Sequence, residues 1–527
     1  MHAYRTSARG LLSIAILLAV QLLFRPGTAA LGMRLPRDSG RAPDFAAVDA
    51  YVAAEMQATR LPGVALAVVQ GDRIVHLRGF GNADRSGRAV TPQTPFTIGS
   101  TTKSFTALAT MQLVETGKVE LDAPVQRYLP WFEVADQGAA AAITIRHLLN
   151  QTSGFPTRET AAQLARKDSG DGALERYVRE LRSVRLTAPV GTTFQYSNTN
   201  WVILGLIIQT VAGQSYEQYV QQHIFAPLEM HNAFTSPEEA RAHGRAMGHR
   251  YWFGRPVPYE MPYNRAQLPA GFVNASAEDL AHYLIAHLNG GSYGSASILS
   301  PAGIAELHRP AVPIGGEPAS YAMGWFVEET EGVPIVSHAG STASFHANLA
   351  LIPEDGWGIV LLMNGEDGLH TARTEAIADG VTSLVLGKQP SLPTSNNARS
   401  TFLGYALIVL AIQLLAFLNA LRLLRRWRRQ PSSRPRGWLR PTLRIVPPLV
   451  MSLIWSLACV MVFPFFLGAP LALLPLFVPD LGYTLLVSLA FALVWGVLKP
   501  ILVILTLRTR RATAPAASAD VSRRATA

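Results

Sequence analysis

The chain has 527 residues, enough for several layers of core, and a formal charge of +10. The basic excess lies at the two ends: fifteen Lys and Arg against Asp480 and Asp520 after residue 400, and Arg5, Arg9 and Arg25 with no acid in the first thirty. Residues 31–400 are therefore mildly acidic, which removes electrostatic support for a nucleic-acid partner and assigns the arginines to membrane topology; a single Cys459 excludes an internal disulfide framework, a thiolate zinc site and an N-terminal lipidated cysteine.

Residues 1–30 place Arg5 and Arg9 before the apolar run Leu11 to Phe24, followed by Arg25-Pro-Gly-Thr-Ala-Ala30. That order describes an export signal, either cleaved near Ala30 or kept as a signal anchor. Asp44 to Arg60 is predicted as an amphipathic helix. Val64 to Gln70 and Arg73 to Gly79, joined by Gly71-Asp72, are predicted as a hairpin. A helix entered near Ser100 runs to about Gly117, a short amphipathic segment covers Leu121 to Leu129, and a helix starting at Thr144 breaks at Ser153-Gly-Phe-Pro156.

From about 158 to 310 the signals are mostly helical: Gly172 to Arg182, Asn198 to Ala212, Tyr216 to Phe225, Ala277 to Leu288 and Pro301 to His308. Arg241 to Leu268, rich in Pro, Tyr, Arg and Gly without a period, is expected as a long surface loop suited to substrate contacts. Strands follow at Met323 to Glu329, Pro334 to His338, Phe345 to Ile352 and Trp357 to Asn364, then a helix from about Leu369 to Leu386. Strands at both ends with helices between predict one sheet shared by the N- and C-terminal strands, with a largely helical insert beside it.

The domain of residues 31–390 gives way to a polar linker, 391–401, and an expected membrane domain, 402–507. Phe402 to Leu421 is long and apolar enough to span about 30 Å of hydrocarbon. The arginines from Arg422 to Arg444 follow, then apolar runs Ile445 to Phe466 and Leu481 to Leu507, then a basic tail, 508–527. Three spans place both basic segments in the cytoplasm and residues 31–400 outside, so the expected location is the cell membrane with that domain on the extracytoplasmic side. The apolar bridge Leu467 to Pro479 is a candidate re-entrant or interfacial piece.

Ser100 and Lys103 are three residues apart at a helix start and so share one face. A serine hydroxyl needs a base to become a nucleophile, and a lysine of depressed pKa one turn away can serve; the helix N-terminus favours an alkoxide and disfavours an ammonium. Such a pair needs partners to relay a proton and bind the acyl oxygen. The candidates are Tyr196-Ser-Asn198, in a turn leading into an apolar helix, and His338-Ala-Gly340, at a strand end. Each pattern alone has an ordinary structural explanation, as a polar helix face, an N-cap or a strand-end histidine. Ser-x-x-Lys, Tyr-x-Asn and His-x-Gly each occur once, in that order, at helix start, inter-helix turn and strand edge.

With these motifs the chain resembles the serine β-lactamase and penicillin-binding superfamily, in particular its class C branch with D-amino-acid peptidase, carboxypeptidase-like and esterase relatives. The resemblance covers about residues 44–388 and includes the contexts Ile143 to Pro156 and Phe272 to Leu280. It implies an α/β fold of the α+β sandwich type: a β-lactamase/transpeptidase-like antiparallel sheet flanked by helices, plus a helical subdomain, here followed by a bundle of transmembrane helices. It also implies that Ser100 forms an acyl-enzyme, that Lys103 accepts its proton with Tyr196 sharing the task, and that Asn198 holds Lys103 and a substrate amide. The N–H groups of Ser100 and Ser341 would form the oxyanion hole, with no metal or organic cofactor.

His338 stands where antibiotic-hydrolysing relatives usually carry lysine. An ordinary imidazole is mostly neutral at neutral pH, so a peptidase or esterase is expected rather than an efficient β-lactamase. The expected partners are a small-molecule or peptide substrate, with cell-wall fragments among the candidates, and membrane lipid, with no nucleic acid. The alternative is a sensor that binds penicillin or peptidoglycan fragments and signals through its spans.

Overall fold

A computed structural model describes residues 43–157, 166–315, 318–330, 332–366, 371–390, 398–430, 439–462 and 471–508. The expected export signal, linker residues 391–397, the middle of the arginine-rich loop at 431–438, and the tail beyond 508 lie outside the described residues.

Asp44 caps helix α1 (Phe45–Thr59), its carboxylate accepting from the N–H groups of Ala46 and Ala47, as a short acidic side chain does for the unpaired donors of a first turn. The hairpin β1 (Gly63–Gln70) and β2 (Arg73–Gly81) follows, turning at Gly71 with φ 59°. Ser100 lies in the 3-10 turn Gly99–Thr101, directly before helix α2 (Thr102–Glu115). Helices α3 (Asn198–Ala212) and α4 (Ala277–Leu288) come next, then strands β3 (Val312–Pro313), β4 (Ala319–Tyr321), β5 (Phe326–Thr330), β6 (Val333–Ser341), β7 (His346–Ile352) and β8 (Trp357–Met363), and helix α5 (Thr371–Val385).

The main sheet has eight strands in the order β2-β1-β8-β7-β6-β5-β4-β3, every pair antiparallel. The expected sharing of N- and C-terminal strands is met by β1 on β8, in register from Val64 opposite Met363 to Gln70 opposite Trp357. Both faces of the centre are covered, which explains the unbroken apolar run of β1. Val64, Leu66 and Val68 point into an outer core with Val48 and Val52 of α1 and Ile377 and Val381 of α5. Ala65, Ala67 and Val69 point into the larger inner core with Phe105 and Leu108 of α2 and Tyr283 and Leu284 of α4. Helix α3 is apolar on most of its surface and buried to match, carrying Trp201, Ile203 and Leu204 into the same inner core.

Two sequence expectations change. The stretch Arg241 to Leu268 is not a uniform loop: it holds a hairpin, His249–Trp252 paired with Arg255–Pro258. Its alternation is hidden in the sequence because only four residues per strand are involved and the second strand contains Pro256 and Pro258. The edge strands β3 and β4 were also missed, being two and three residues long.

Beyond residue 397, two helices are long and apolar enough to cross a membrane, Thr401–Arg429 and Pro479–Leu505. The apolar helical stretch Val446–Val462 is shorter and runs into residues outside the description. The interfacial candidate contains a single helical turn, Leu474–Phe477, immediately before helix α6 (Pro479–Arg508).

Behind the inner core, His287 and His308 share a hydrogen bond, Nδ1 to Nε2, of 3.0 Å against Trp325. Burial holds His287 well below the usual imidazole range and pushes His308 down to about 4. Unfolded, both would take up protons below about pH 6.5, so their contribution is fully present above that pH and is lost as pH falls toward the native values. We expect the melting temperature of the solubilised chain to drop between pH 7 and pH 5, each histidine adding a slope of about 1.4 kcal/mol per pH unit. The drop should be smaller in His287→Phe/His308→Leu, and a wild-type melting temperature that is flat over this range would refute the assignment.

Candidate active site

The nucleophile position is built at the junction of the sheet and the helical region. Gly99, with φ 55°, turns the chain so that Ser100 enters α2 with its side chain half-buried, while Lys103, one turn on, is fully buried. Lys103 Nζ lies 2.9 Å from Ser100 Oγ and donates to Ala270 O at 2.7 Å. Desolvation in this pocket holds the amine well below its ordinary pKa. A neutral amine anchored on a carbonyl by one N–H has its lone pair free for the serine proton. Ala270, in the turn Leu268–Gly271, carries no sequence signal for this task, since only its backbone oxygen is used.

The ring of Tyr196 lies 4.9 Å from Lys103 Nζ. Burial raises the phenol above its usual value and the Ser100 side chain opposes that shift. Tyr196 therefore keeps its proton at neutral pH, and of the two expected bases Lys103 is the one whose protonation state suits the role. Asn198 opens α3, with Ser197 rather than Asn198 at the N-cap position. The Oδ1 atom of Asn198 is buried with no protein partner, and the amine of Lys103 is held by Ala270 instead. Asn198 lines the same small cavity as Ser100, so its amide faces where a substrate would sit.

His338 and Gly340 lie near the end of β6. His338 donates Nδ1–H to Ala339 O at 2.6 Å and buries an unpartnered Nε2. Burial pushes its pKa down to about 3, so the position holds no cation at neutral pH. A Cβ on Gly340 would meet Ile98 O at 2.0 Å and the N atoms of Ser100 and Thr101 at 2.9 Å; one on Gly99 would meet Ser341 N at 3.0 Å. Glycine at both places lets the two backbones touch, which brings the N–H groups of Ser100 and Ser341 to one spot.

Behind this contact, Ser341 Oγ lies 2.9 Å from His346 Nδ1, which lies 2.8 Å from the buried carboxylate of Glu366. Thr374 Oγ1 donates to Glu366 at 2.8 Å. The sequence gives no motif for this chain of contacts, which ties the end of β6 to β7 and α5.

The cavity beside Ser100 holds about 40 Å³. It adjoins a larger one of about 350 Å³, the two sharing Met261, Phe272 and Thr342. The larger cavity has an ionic side and an apolar one: Arg245, almost fully buried, donates to both oxygens of Glu260 at 2.8 and 2.6 Å, Arg241 pairs with Glu238 and Glu260, and Lys167 adds positive charge, while Tyr263, Phe272 and Phe345 line the rest. Both cavities draw on the stretch 241–268.

The beta-lactamase family model matches residues 48–382. The protein flp of Staphylococcus aureus (strain MW2) is 31% identical over 322 residues, covering 60% of this chain and 62% of that protein's length. Penicillin-binding protein 4 of Amycolatopsis lactamdurans is 34% identical over 318 residues, covering 58% of this chain and 81% of the relative. Among solved structures, the octameric penicillin-binding protein homologue from Pyrococcus abyssi superposes with a TM-score of 0.59 at 28% identity, covering 68% of this chain and 81% of that one. The serine–lysine pair, the antiparallel sheet beside it and these likenesses agree: the chain belongs to the beta-lactamase family, with penicillin-binding protein homologues among its relatives.

Proposed function

We propose that this chain is an exported, membrane-anchored serine hydrolase that cleaves amide, peptide or ester bonds through an acyl-enzyme on Ser100. The observation that carries the reading is the buried Lys103 amine, 2.9 Å from Ser100 Oγ and anchored on Ala270 O. Lys103 takes the hydroxyl proton as Ser100 Oγ attacks the carbonyl carbon. The Ser100 and Ser341 N–H groups stabilise the oxyanion. Tyr196 O–H gives its proton to the departing amine or alcohol and recovers one from Lys103, and the free Oδ1 of Asn198 accepts from a substrate N–H. A water molecule then attacks the acyl carbon, releasing the acid and freeing Ser100 Oγ.

The neutral His338 argues for peptidase or esterase substrates over efficient β-lactam hydrolysis, where a fixed cation would pair with the substrate carboxylate. Two apolar helices, the third apolar stretch Val446–Val462 and the arginines between them support an anchor of three spans, with the catalytic domain extracytoplasmic. Its partners are then a small-molecule or peptide substrate and membrane lipid.

Ser100→Ala should abolish labelling by a fluorophosphonate probe, and undiminished labelling would reject the reading. Gly340→Ala should cut kcat by about 10²–10³-fold or more, the cost of disturbing an oxyanion donor, and should also lower the melting temperature, since its Cβ would displace the Ile98 carbonyl. The rate should fall as pH is lowered through the depressed pKa of Lys103, because protonation removes the base; an acid limb unchanged in Lys103→Arg, measured on any residual activity, would assign the base elsewhere.

A further inference from the structure

The apolar side of the Ser100 cavity is completed from the membrane end of the chain. Phe477, in the turn Leu474–Phe477, lines that cavity together with Ser100, Met261 and Phe272. Three contacts bring it there. Arg250 Nη1 donates to Pro475 O at 3.0 Å, the Phe253 N–H donates to Asp480 Oδ2 at 2.9 Å, and the rings of Trp252 and Tyr483 lie 5.6 Å apart. All three donor-side residues belong to the hairpin His249–Pro258, whose tip leaves Phe253 half exposed beside the start of α6.

Phe477 stands two residues before the helix that is long and apolar enough to enter a bilayer. On the anchor reading above, Phe477 stands on the extracytoplasmic approach to that span, with the cavity of Ser100 beside it. The space beside Ser100, about 40 Å³, is little more than a water's share of volume, about 30 Å³. A substrate reaching the serine from this side must therefore pass Phe477. Met261 and Phe272 line both this space and the ionic cavity with Arg241, Arg245 and Glu260, so they stand between the two.

We infer that the site takes an amphiphile: a substrate whose apolar chain lies along Phe477 toward the bilayer and whose polar part occupies the ionic cavity, with the scissile amide or ester between them. This rests on the hydrolase reading above and adds the substrate class. A purely water-soluble peptide would gain nothing from a wall supplied by the membrane end of the chain, whereas an acyl chain gains burial with every methylene that leaves water.

The full chain reconstituted in phosphatidylcholine–phosphatidylglycerol vesicles is assayed with p-nitrophenyl acetate and p-nitrophenyl decanoate. Wild type should prefer the decanoate in kcat/KM, and Phe477→Ala should lower the decanoate-to-acetate ratio by about tenfold, with Phe477→Leu restoring most of it, since apolar bulk and not the ring carries the contact. Fluorophosphonate labelling of Ser100 in both variants certifies that they fold. A ratio unchanged in Phe477→Ala, or a wild type that turns over acetate and rejects decanoate, overturns the amphiphile while leaving the hydrolase reading standing. Turnover of neither ester, with labelling lost in Ser100→Ala, likewise overturns the amphiphile alone; labelling or turnover undiminished in Ser100→Ala removes the hydrolase reading and the amphiphile with it.

Discussion

The structure depends on keeping one amine dry. Lys103 is a lysine with no exposed surface, and burying an ammonium without a carboxylate beside it is costly enough that the group sheds its proton instead. The surroundings follow from that need. The amine has a carbonyl to hold it, at Ala270, and a hydroxyl to act on, at Ser100. The packing that excludes water from it is the inner core between the sheet and the helical region, with Phe105 and Leu108 on its own helix.

A second constraint is the contact between the nucleophile turn and the end of β6. The two backbones meet at Gly99 and Gly340 with no room for a Cβ on either. Two N–H groups are thereby presented together without any side chain being spent on the task. The end of β6 is held in turn by Ser341, His346 and Glu366, so a carboxylate outside the reacting centre bears on where the Ser341 N–H sits.

The part of the chain beyond residue 397 is more than a tether. Its turn Leu474–Phe477 contributes to the cavity of Ser100, and the hairpin His249–Pro258 docks on it through Arg250, Trp252 and Phe253. The hairpin and the apolar bridge looked featureless in sequence because each is short and each acquires its role only from the other.

Much of the site was legible before any fold was known. Ser100 and Lys103 are one helical turn apart, and a turn of helix has a fixed rise, so their proximity follows from local geometry. The apolar runs of β1 and β8, the caps at Asp44 and Thr144, and the long apolar helices are likewise set by residues close in sequence. The single occurrence of each motif made Tyr196, Asn198, His338 and Gly340 candidates, but their chemistry came from elsewhere. The carbonyl that anchors Lys103 lies 167 residues from it. The neutrality of Lys103 and His338 comes from burial among groups brought in by other elements. Sequence alone determined which residue types could perform acyl transfer and where the chain turns strongly apolar. Only the tertiary structure decided which of them are dry, which atoms lack partners and which ring from beyond residue 397 closes the cavity, because desolvation and close approach are properties of packing between distant segments.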